Sequence, residues 1–195
     1  MATMHYLFCC IFSVALCYAL ALEHRAVAQQ TIPAQRDRDL PKISHEQQLR
    51  ERIVQLAVAE LGVREATGEN DGPQVEAYLS YTGMARGNPW CAAFVCWIYQ
   101  QAGLQQPRNA WSPALFPRQR RYMGSVDSIH RVMPADIFGI YNQRLGRIDH
   151  AGLVRSVDKN WILTVEGNVQ NQVASKRRPV ATIHTFADWL KKVDP

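Results

Sequence analysis

Apolar residues recur at helical spacing where the chain first takes on the pattern of a folded domain. Between residues 44 and 62 they fall three or four positions apart, as on one face of an α-helix. These residues are Leu49, Ile53, Leu56, Ala57 and Leu61. Ser44 can cap the helix, with Gln47 three residues later, and Gly62 can end it. The pattern therefore predicts a first helix between Ser44 and Gly62.

Two further helices are predicted before residue 104. The second is short and ends at Gly83, and its apolar side consists of Val75, Tyr78 and Leu79. In the third, Asn88 can act as the cap, Pro89 suits the first helical position and Gly103 closes the pattern. Residues 104–133 lack a strong period and contain three prolines, so we expect a loop with at most one short helix.

From Ala135 onward the pattern changes to short apolar runs that are typical of strands. Four strands are predicted: DIFGIYN at 136–142, HAGLVRSV at 150–157, WILTVEGN at 161–168 and PVATIHTF at 179–186. Helices that come first and an antiparallel sheet that follows indicate an α+β domain. We expect the third helix to pack on this sheet.

The loop between the two middle strands decides which side chains share a face. If DKN, residues 158–160, is a three-residue loop, Val157 pairs with Trp161 and His150 lies opposite Asn168, with Glu166 on the adjacent diagonal. His150, Glu166 and Asn168 then point the same way. A loop of two or four residues would instead place His150 opposite Gly167 and separate the three side chains.

The N-terminus carries a second kind of pattern. Residues 7–22 are almost wholly apolar, and Ala26 and Ala28 supply an A-x-A cleavage site. We interpret residues 1–28 as a secretory signal peptide, 29–43 as a flexible linker and 44–195 as the folded domain. The first six residues contain no Lys or Arg, so a retained membrane anchor is the alternative, although about 16 apolar residues are short for a membrane span.

Composition narrows the classes of partner. The chain has 195 residues, of which 47% are hydrophobic and 20% charged, with a net charge of +5. A basic exported protein favours anionic surfaces such as cell-wall polymers, although this charge is equally compatible with solubility alone. No basic stripe interleaved with aromatic residues indicates a nucleic-acid site, and the basic cluster at 118–122 is interpreted as a solvated loop.

Two cysteines remain after the predicted cleavage, Cys91 and Cys96. On one helix their Cα atoms would be roughly 8–9 Å apart, too far for a disulfide, so both are expected to be free thiols. Cys91 falls at about the third residue of the predicted helix, where the helix dipole favours a thiolate. Cys96 lies deeper in the helix and is interpreted as a packing residue.

A thiol nucleophile needs a base and a group that orients the base. His150 on one predicted strand and Glu166 or Asn168 on the next supply both, which is the arrangement used in covalent acyl transfer. Three other histidines of the predicted domain are interpreted as unrelated to the site. His45 lies at a helix start, His130 in a loop, and His184 on a terminal strand with no acid or amide nearby. Residues alone therefore indicate a Cys-His-Glu site, although these residue types also occur together by chance.

Four segments in this order, NPWCAAFVCWIYQQAG, PADIF, DHAGLV and VEGN, resemble the CHAP domain (cysteine, histidine-dependent amidohydrolase/peptidase) of the papain-like NlpC-type superfamily. The resemblance covers about residues 50–190. It implies a papain-like α+β fold and hydrolysis of amide bonds in peptidoglycan, either between N-acetylmuramic acid and L-alanine or within stem and bridge peptides. Carried over by motif, Cys91 resembles the nucleophile, His150 the base, Glu166 the residue that orients the imidazole and Asn168 an assisting amide.

The resemblance also sets expectations about cofactors and partners. Some members bind calcium through an Asp-rich loop before the nucleophile, but residues 81–90 contain no carboxylate, so no metal and no other cofactor is expected. The expected partner is peptidoglycan or its peptide fragments, met by a secreted or periplasmic monomer without stable membrane insertion after signal cleavage. Trp90, Asn70 and Asp71 are candidates for lining the cleft, with packing or capping as the alternative.

One departure from the family pattern concerns the turn before the first predicted strand. Where many members have Pro-Gly-Asp, this chain has Pro134, Ala135 and Asp136, which we expect to be a mild structural change. Two rival functions stay open at this point. One is a catalytically silent module that binds cell wall through the same cleft, and the other is an acyl transferase that uses the same residues.

Overall fold

Three α-helices precede a six-stranded sheet in the computed structural model, which describes residues 43–123 and 126–191. The helices are α1 (His45–Ala59), α2 (Pro73–Tyr81) and α3 (Cys91–Gln101). The predicted signal peptide and all but the last residue of the predicted linker lie outside the described residues, and both stay predictions. Within the described part, no helix is long and apolar enough to cross a membrane.

The first two helices form as their patterns predict. The Ser44 hydroxyl accepts a hydrogen bond from the Gln47 amide at 3.1 Å, which caps the start of α1. Helix α2 buries Val75, Tyr78 and Leu79 on one side. Both helices pack into one apolar cluster with α3, so their patterns identified the side that faces the core.

Helix α3 begins two residues later than predicted. Trp90 is its N-cap, and the Asn88 side chain instead donates to the carbonyl of Ala85 at 3.0 Å. Asn88 therefore closes the preceding turn and does not cap the helix, and Pro89 lies before the helix. Cys91 becomes the first helical residue and not the third, which places it still closer to the positive end of the helix dipole.

The sheet is antiparallel with the strand order β1-β6-β2-β3-β4-β5. Its strands are β1 (Arg121–Tyr122), β2 (Ile137–Asn142), β3 (Arg147–Asp158), β4 (Trp161–Glu166), β5 (Ala174–Pro179) and β6 (Thr185–Ala187). Of the short 3₁₀ helices in the described residues, Ser112–Leu115 precedes β1, Val126–Arg131 lies between β1 and β2, and Val180–Thr182 lies between β5 and β6. The predicted α+β class is confirmed, and α3 packs on the sheet.

The last predicted strand, residues 179–186, is wrong in two respects. Val180–Thr182 forms a 3₁₀ turn, so only Thr185–Ala187 pairs as β6. The strand that pairs with the other edge of β4, away from β3, is the preceding segment, ASKRRP. Apolar patterning misses it because it is a polar edge strand. This missed strand carries Arg178, a residue that reaches the site described below.

Two β-bulges in β3 set its register. Asp158 pairs with Trp161, so the turn contains only Lys159 and Asn160, and the predicted three-residue loop is wrong. Further along, Val154 pairs with Thr164 and Ser156 with Leu163, which leaves Arg155 as an extra, exposed residue. The bulge shifts the pairing by one residue and restores the register that a three-residue loop would have produced.

The second bulge lies at the other end of β3. Ile140 pairs with His150 and Tyr141 with Ile148, so Asp149 is the extra residue. Bulges bend a strand and change the direction of nearby side chains. Here the bend lies beside His150, where β3 passes the start of α3.

The turn before β2 departs more from ordinary backbone geometry than the sequence suggested. Ala135 is buried with a φ of 71°, a left-handed conformation that costs a residue with a Cβ about 1–2 kcal/mol. Its carbonyl accepts a hydrogen bond from the Tyr99 hydroxyl at 2.7 Å, and its amide donates to the Val154 carbonyl at 2.8 Å. These contacts hold the turn in place despite its strain.

We expect Ala135→Gly to stabilise the protein, because glycine adopts this φ without strain. Part of the gain is offset by the greater entropy of glycine in the unfolded chain, so the net effect is about 0.5–1 kcal/mol, or a rise in Tm of roughly 2 °C. Thermal unfolding followed by circular dichroism measures it. Ala57→Gly, in the interior of α1, is the control and should lower Tm; a fall in both variants would contradict the assignment of strain to Ala135.

Candidate active site

Cys91 lies at the start of α3, where helix, sheet and loop meet. Its Sγ is 3.4 Å from the Oγ of Ser112 and 3.9 Å from the carbonyl oxygen of Asp149. Backbone amides in the first turn of a helix have no partner within the helix, and together with the helix dipole they stabilise negative charge. The thiol is nearly buried, with its residue 5% exposed.

The ionisation of Cys91 depends on its neighbours. Burial alone would raise the pKa of this thiol, but its hydrogen bond to His150, the charge of the imidazole and the Ser112 hydroxyl outweigh burial, so the pKa of Cys91 lies below its usual value. A thiolate is the nucleophilic form of cysteine. The site therefore favours a thiolate beside an imidazolium.

His150 lies between the thiol and a buried carboxylate. Its Nε2 is 2.8 Å from Oε2 of Glu166, which leaves Nδ1 for the thiol. Burial would lower the pKa of His150, but its hydrogen bonds and charge interactions with Cys91 and Glu166 raise the pKa to about 9. The ring is thus held in one orientation and is protonated at neutral pH.

A glycine on β3 makes room for this pair. A Cβ at Gly152 would lie 2.7 Å from the ring of Phe138 and 2.9 Å from Cγ of Glu166, closer than real side chains approach. Gly152 therefore allows the Glu166 side chain to lie flat across β3 and reach His150. A side chain at position 152 would therefore displace Phe138 or Glu166.

Glu166 is fully buried, and every side of its carboxylate is occupied. Arg178 on β5 donates from Nε to Oε1 at 2.7 Å and from Nη2 to Oε2 at 2.6 Å. The Thr164 hydroxyl donates to Oε1 as well. Burial would raise the pKa of Glu166, but Arg178, His150 and Thr164 together lower it to about 2, so the carboxylate stays ionised.

The sequence did not predict two of these site residues, Ser112 and Arg178. Ser112 lies in a segment without periodicity, and Arg178 lies in the polar edge strand. Half-buried and exposed residues alternate from Ala174 to Arg178, and Arg178 lies opposite Ile162 of β4, but this pattern is visible only in the structure. No signal in the sequence pointed to Ser112.

The fourth predicted site residue, Asn168, stands apart. It follows β4 in a bend with a φ of 58° and is half-buried. Among the hydrogen bonds of the described residues, none joins it to Cys91, His150 or Glu166. The structure therefore brings three of the four predicted residues together and leaves Asn168 at the edge.

The three candidates for cleft lining take structural roles, the alternative considered for them. Trp90 is fully buried and donates from Nε1 to Oε1 of Glu65 at 2.8 Å, so it does not line the cleft. The Asp71 carboxylate accepts hydrogen bonds from the amide and hydroxyl of Thr67 at 2.9 Å each. The backbone amide of Asn70 donates to Oε2 of Glu65 at 2.9 Å, a contact within the same loop.

A groove of about 560 Å³ opens over Cys91. Its wall includes three exposed apolar side chains, Met84, Trp111 and Leu145, and two arginines, Arg108 and Arg147. Ser112 and Asp149 also line it beside the thiol. The groove is lined by both apolar and charged side chains, and the thiol of Cys91 lies within its wall.

Cys96 has none of these features. It is buried, its Sγ accepts a hydrogen bond from the Asn109 amide at 3.3 Å, and burial raises its pKa to about 12. Both cysteines are free thiols, as predicted. In the described part of the chain, no group of three or more His, Cys, Asp or Glu side chains is arranged to hold a metal ion.

Residues 83–168 match the CHAP domain family, which confirms the resemblance drawn from the sequence motifs. This segment runs from the loop before α3 to the bend after β4 and includes Cys91, His150 and Glu166. No curated protein is significantly similar to this chain in sequence.

The solved structures that are similar to this chain include the following three. NlpC1 from Trichomonas vaginalis is 14% identical, over 72% of this chain and 44% of that chain, with a TM-score of 0.45. The peptidoglycan hydrolase RipB from Mycobacterium tuberculosis is 14% identical, over 78% of this chain and 70% of that chain, with a TM-score of 0.48. The P60 domain of a M. avium paratuberculosis antigen is 17% identical, over 73% of this chain and 93% of that chain, with a TM-score of 0.44. This chain thus matches less than half the length of the T. vaginalis protein.

Proposed function

We propose that this protein is a cysteine hydrolase that cleaves amide bonds in peptidoglycan, as an N-acetylmuramoyl-L-alanine amidase or as an endopeptidase of stem or bridge peptides. The observation that carries the proposal is the convergence of Cys91, His150 and Glu166 in the wall of an open groove. The match of residues 83–168 to the CHAP domain supports the substrate class.

Acylation begins with the Cys91 thiolate. It attacks the scissile carbonyl carbon, a C–S bond forms, and the carbonyl oxygen gains negative charge. The backbone amide of Cys91 at the start of α3 is placed to donate to this oxyanion. The His150 imidazolium then gives its proton to the amine nitrogen as the C–N bond breaks, which leaves a thioester on Cys91.

Deacylation uses the same groups in reverse roles. Neutral His150 accepts a proton from a water molecule, the water oxygen attacks the thioester carbon, and the C–S bond breaks to release a carboxylic acid. The thiolate and the imidazolium are restored together. Glu166 keeps its charge throughout and holds the imidazole ring through Nε2.

The groove suits a substrate that combines sugars and peptides. Trp111 at its rim is 56% exposed and offers an aromatic face to a sugar ring or an apolar side chain. Arg108 and Arg147 offer positive charge to the carboxylates of a peptide stem. An exported protein, as the predicted signal peptide implies, would meet such a polymer in the cell envelope or outside the cell.

Digestion of purified peptidoglycan sacculi tests the proposal. Mass spectrometry of the products should show one new amine end and one new carboxylate end for each bond cut, with intact glycan linkages. For an endopeptidase both ends lie in the peptide, and for an amidase the carboxylate lies on the lactyl group of N-acetylmuramic acid. A sample of the same protein treated with iodoacetamide is the matched control and should leave the sacculi unchanged. Unchanged muropeptides with the untreated protein, or new reducing sugar ends, would contradict the proposed activity.

A further inference from the structure

Four groups that can carry charge lie in a row through the site, and each comes from a different element. They are Cys91 on α3, His150 on β3, Glu166 on β4 and Arg178 on β5. In the reactive state their charges alternate as negative, positive, negative and positive. The row as a whole is therefore neutral.

Arg178, the last member of the row, makes more contacts than an ordinary surface ion pair. Arg178 uses two nitrogen atoms to contact both oxygens of Glu166, at 2.7 and 2.6 Å, and its side chain is only 26% exposed. Two-point contacts of this kind fix the plane of a carboxylate as well as its charge. The guanidinium also lies 5.8 Å from the ring of Phe138, which holds it from the side of β2.

Removing one charge from a buried row costs more than removing one from the surface. Glu166 is fully buried, and His150 contacts only one of its oxygens. Without Arg178, the thiolate, imidazolium and carboxylate together carry a net negative charge in a site with little water. Such a site takes up a proton more readily, which would protonate the nucleophile.

We propose that Arg178 is a positioning residue that holds the Glu166 carboxylate in plane and balances its charge, and thereby sets the pH range over which Cys91 and His150 form a reactive pair. The inference deepens the cysteine hydrolase function proposed above and rests on it. The other polar groups that face the row are the hydroxyls of Ser112, beside Cys91, and Thr164, beside Glu166. Asp149 presents its backbone carbonyl to the thiol, while its carboxylate contacts Asn142.

The expected direction follows from the charges. Arg178→Met keeps an unbranched apolar stem but removes one positive charge and both hydrogen bonds. Negative charge on Cys91 becomes less favourable, and the proton on His150 is held more tightly. Both inflections of the pH profile should therefore move to higher pH. Loss of packing alone would lower the rate without moving the profile.

The pH dependence of Cys91 alkylation by iodoacetamide measures this directly. The modified Cys91 peptide is quantified by mass spectrometry, so other cysteines do not interfere and no peptidoglycan is needed. We expect the acid inflection to move up by about one pH unit in Arg178→Met, which corresponds to a tenfold change in thiol ionisation. Arg178→Lys, which keeps the charge without the two-point contact, should give a smaller shift in the same direction.

Arg177→Met is the matched control. Arg177 is the neighbouring residue on β5, but it is exposed, contacts the exposed Asp158 at 3.3 Å and stacks over Trp161. Its removal should leave the inflection unchanged. A wild-type inflection in both Arg178 variants would overturn the proposal, whatever happens to the rate.

Arg178→Lys also keeps the test valid if Arg178→Met does not fold. In that case an upward shift in the lysine variant supports the proposal, and an unchanged inflection overturns it. The readout is separate from the proposed activity. Sacculi left intact by a wild-type protein whose alkylation profile depends on Arg178 would disprove the substrate class and leave the role of Arg178 standing.

Discussion

Replacing Cys91 with alanine should lower kcat/KM for the hydrolysis of peptidoglycan by at least about a thousandfold, because the site then lacks the group that forms the acyl intermediate. Ser112 has its hydroxyl 3.4 Å from the thiol, but among the hydrogen bonds of the described residues this hydroxyl contacts no base that could activate it. The residual rate should approach that of the control without enzyme. Formation of new amine ends in the sacculi, followed by mass spectrometry, measures the loss.

Cys96→Ala is the control that the sequence itself provides. Both variants lose one sulfur atom from the same helix, but Cys96 is buried against Asn109 and burial raises its pKa to about 12. The variant should keep its activity within about threefold, with a small loss of stability from the lost packing. The thiol-alkylation profile of Cys91 should not change.

Either of two results would disprove the assignment of the nucleophile. One is Cys91→Ala with more than about a tenth of the wild-type activity. The other is a Cys96→Ala protein that is folded but inactive, which would move the chemistry to the second thiol. Circular dichroism of both variants separates a loss of chemistry from a loss of fold.

The pairing of His150 and Glu166 shows what sequence reasoning can and cannot do. Their shared face was predicted from a three-residue loop, and the structure has a two-residue turn with a bulge at Arg155. The two errors cancel because the bulge adds back the residue that the turn lacks. Alternation of apolar residues records which face is buried, but it does not record where along the strand an extra residue is inserted.

Arg178 and Ser112 were missed for a different reason. Periodicity detects elements that bury one apolar side, and β5 is a polar edge strand while Ser112 lies in a short 3₁₀ turn. Both residues reach the site only because of tertiary packing. Residues that contact the catalytic groups from such segments carry no local pattern, so only coordinates reveal them.

A second large effect is expected far from the groove, at a buried arginine on α1. Arg50 is 4% exposed and contacts three carboxylates: Glu46 at 2.9 Å, Asp136 at 2.8 Å and Asp188 at 2.9 Å. It also donates to the backbone carbonyl of Pro134 at 3.0 Å. Arg50 thus joins α1 to the turn before β2 and to the segment after β6.

Arg50→Met should destabilise the protein by about 3–5 kcal/mol, because it leaves Asp136 buried without its counter-charge. For a domain of this size the loss corresponds to a fall in Tm of roughly 10 °C. Urea unfolding followed by fluorescence measures the free energy of unfolding. Glu46→Gln is the control, because Glu46 is 56% exposed and its contact with Arg50 should contribute less than about 1 kcal/mol.

The loss in Arg50→Met should depend on pH, and its direction follows from Asp136. Burial raises the pKa of Asp136 from 3.8 to about 6 even though Tyr122, the Met133 amide and Arg50 all favour its charged form. A carboxyl whose pKa is raised by folding binds its proton more tightly in the folded state, so its contribution to stability falls as the pH rises from about 4 to about 6. Without Arg50 the pKa of Asp136 should rise further, because one of the groups that favour the charge is gone. The variant should therefore be closest to wild type near pH 5 and most destabilised above about pH 7. If the loss in free energy of unfolding were instead constant or larger at acid pH, the arginine would stabilise the fold by packing and not by its charge.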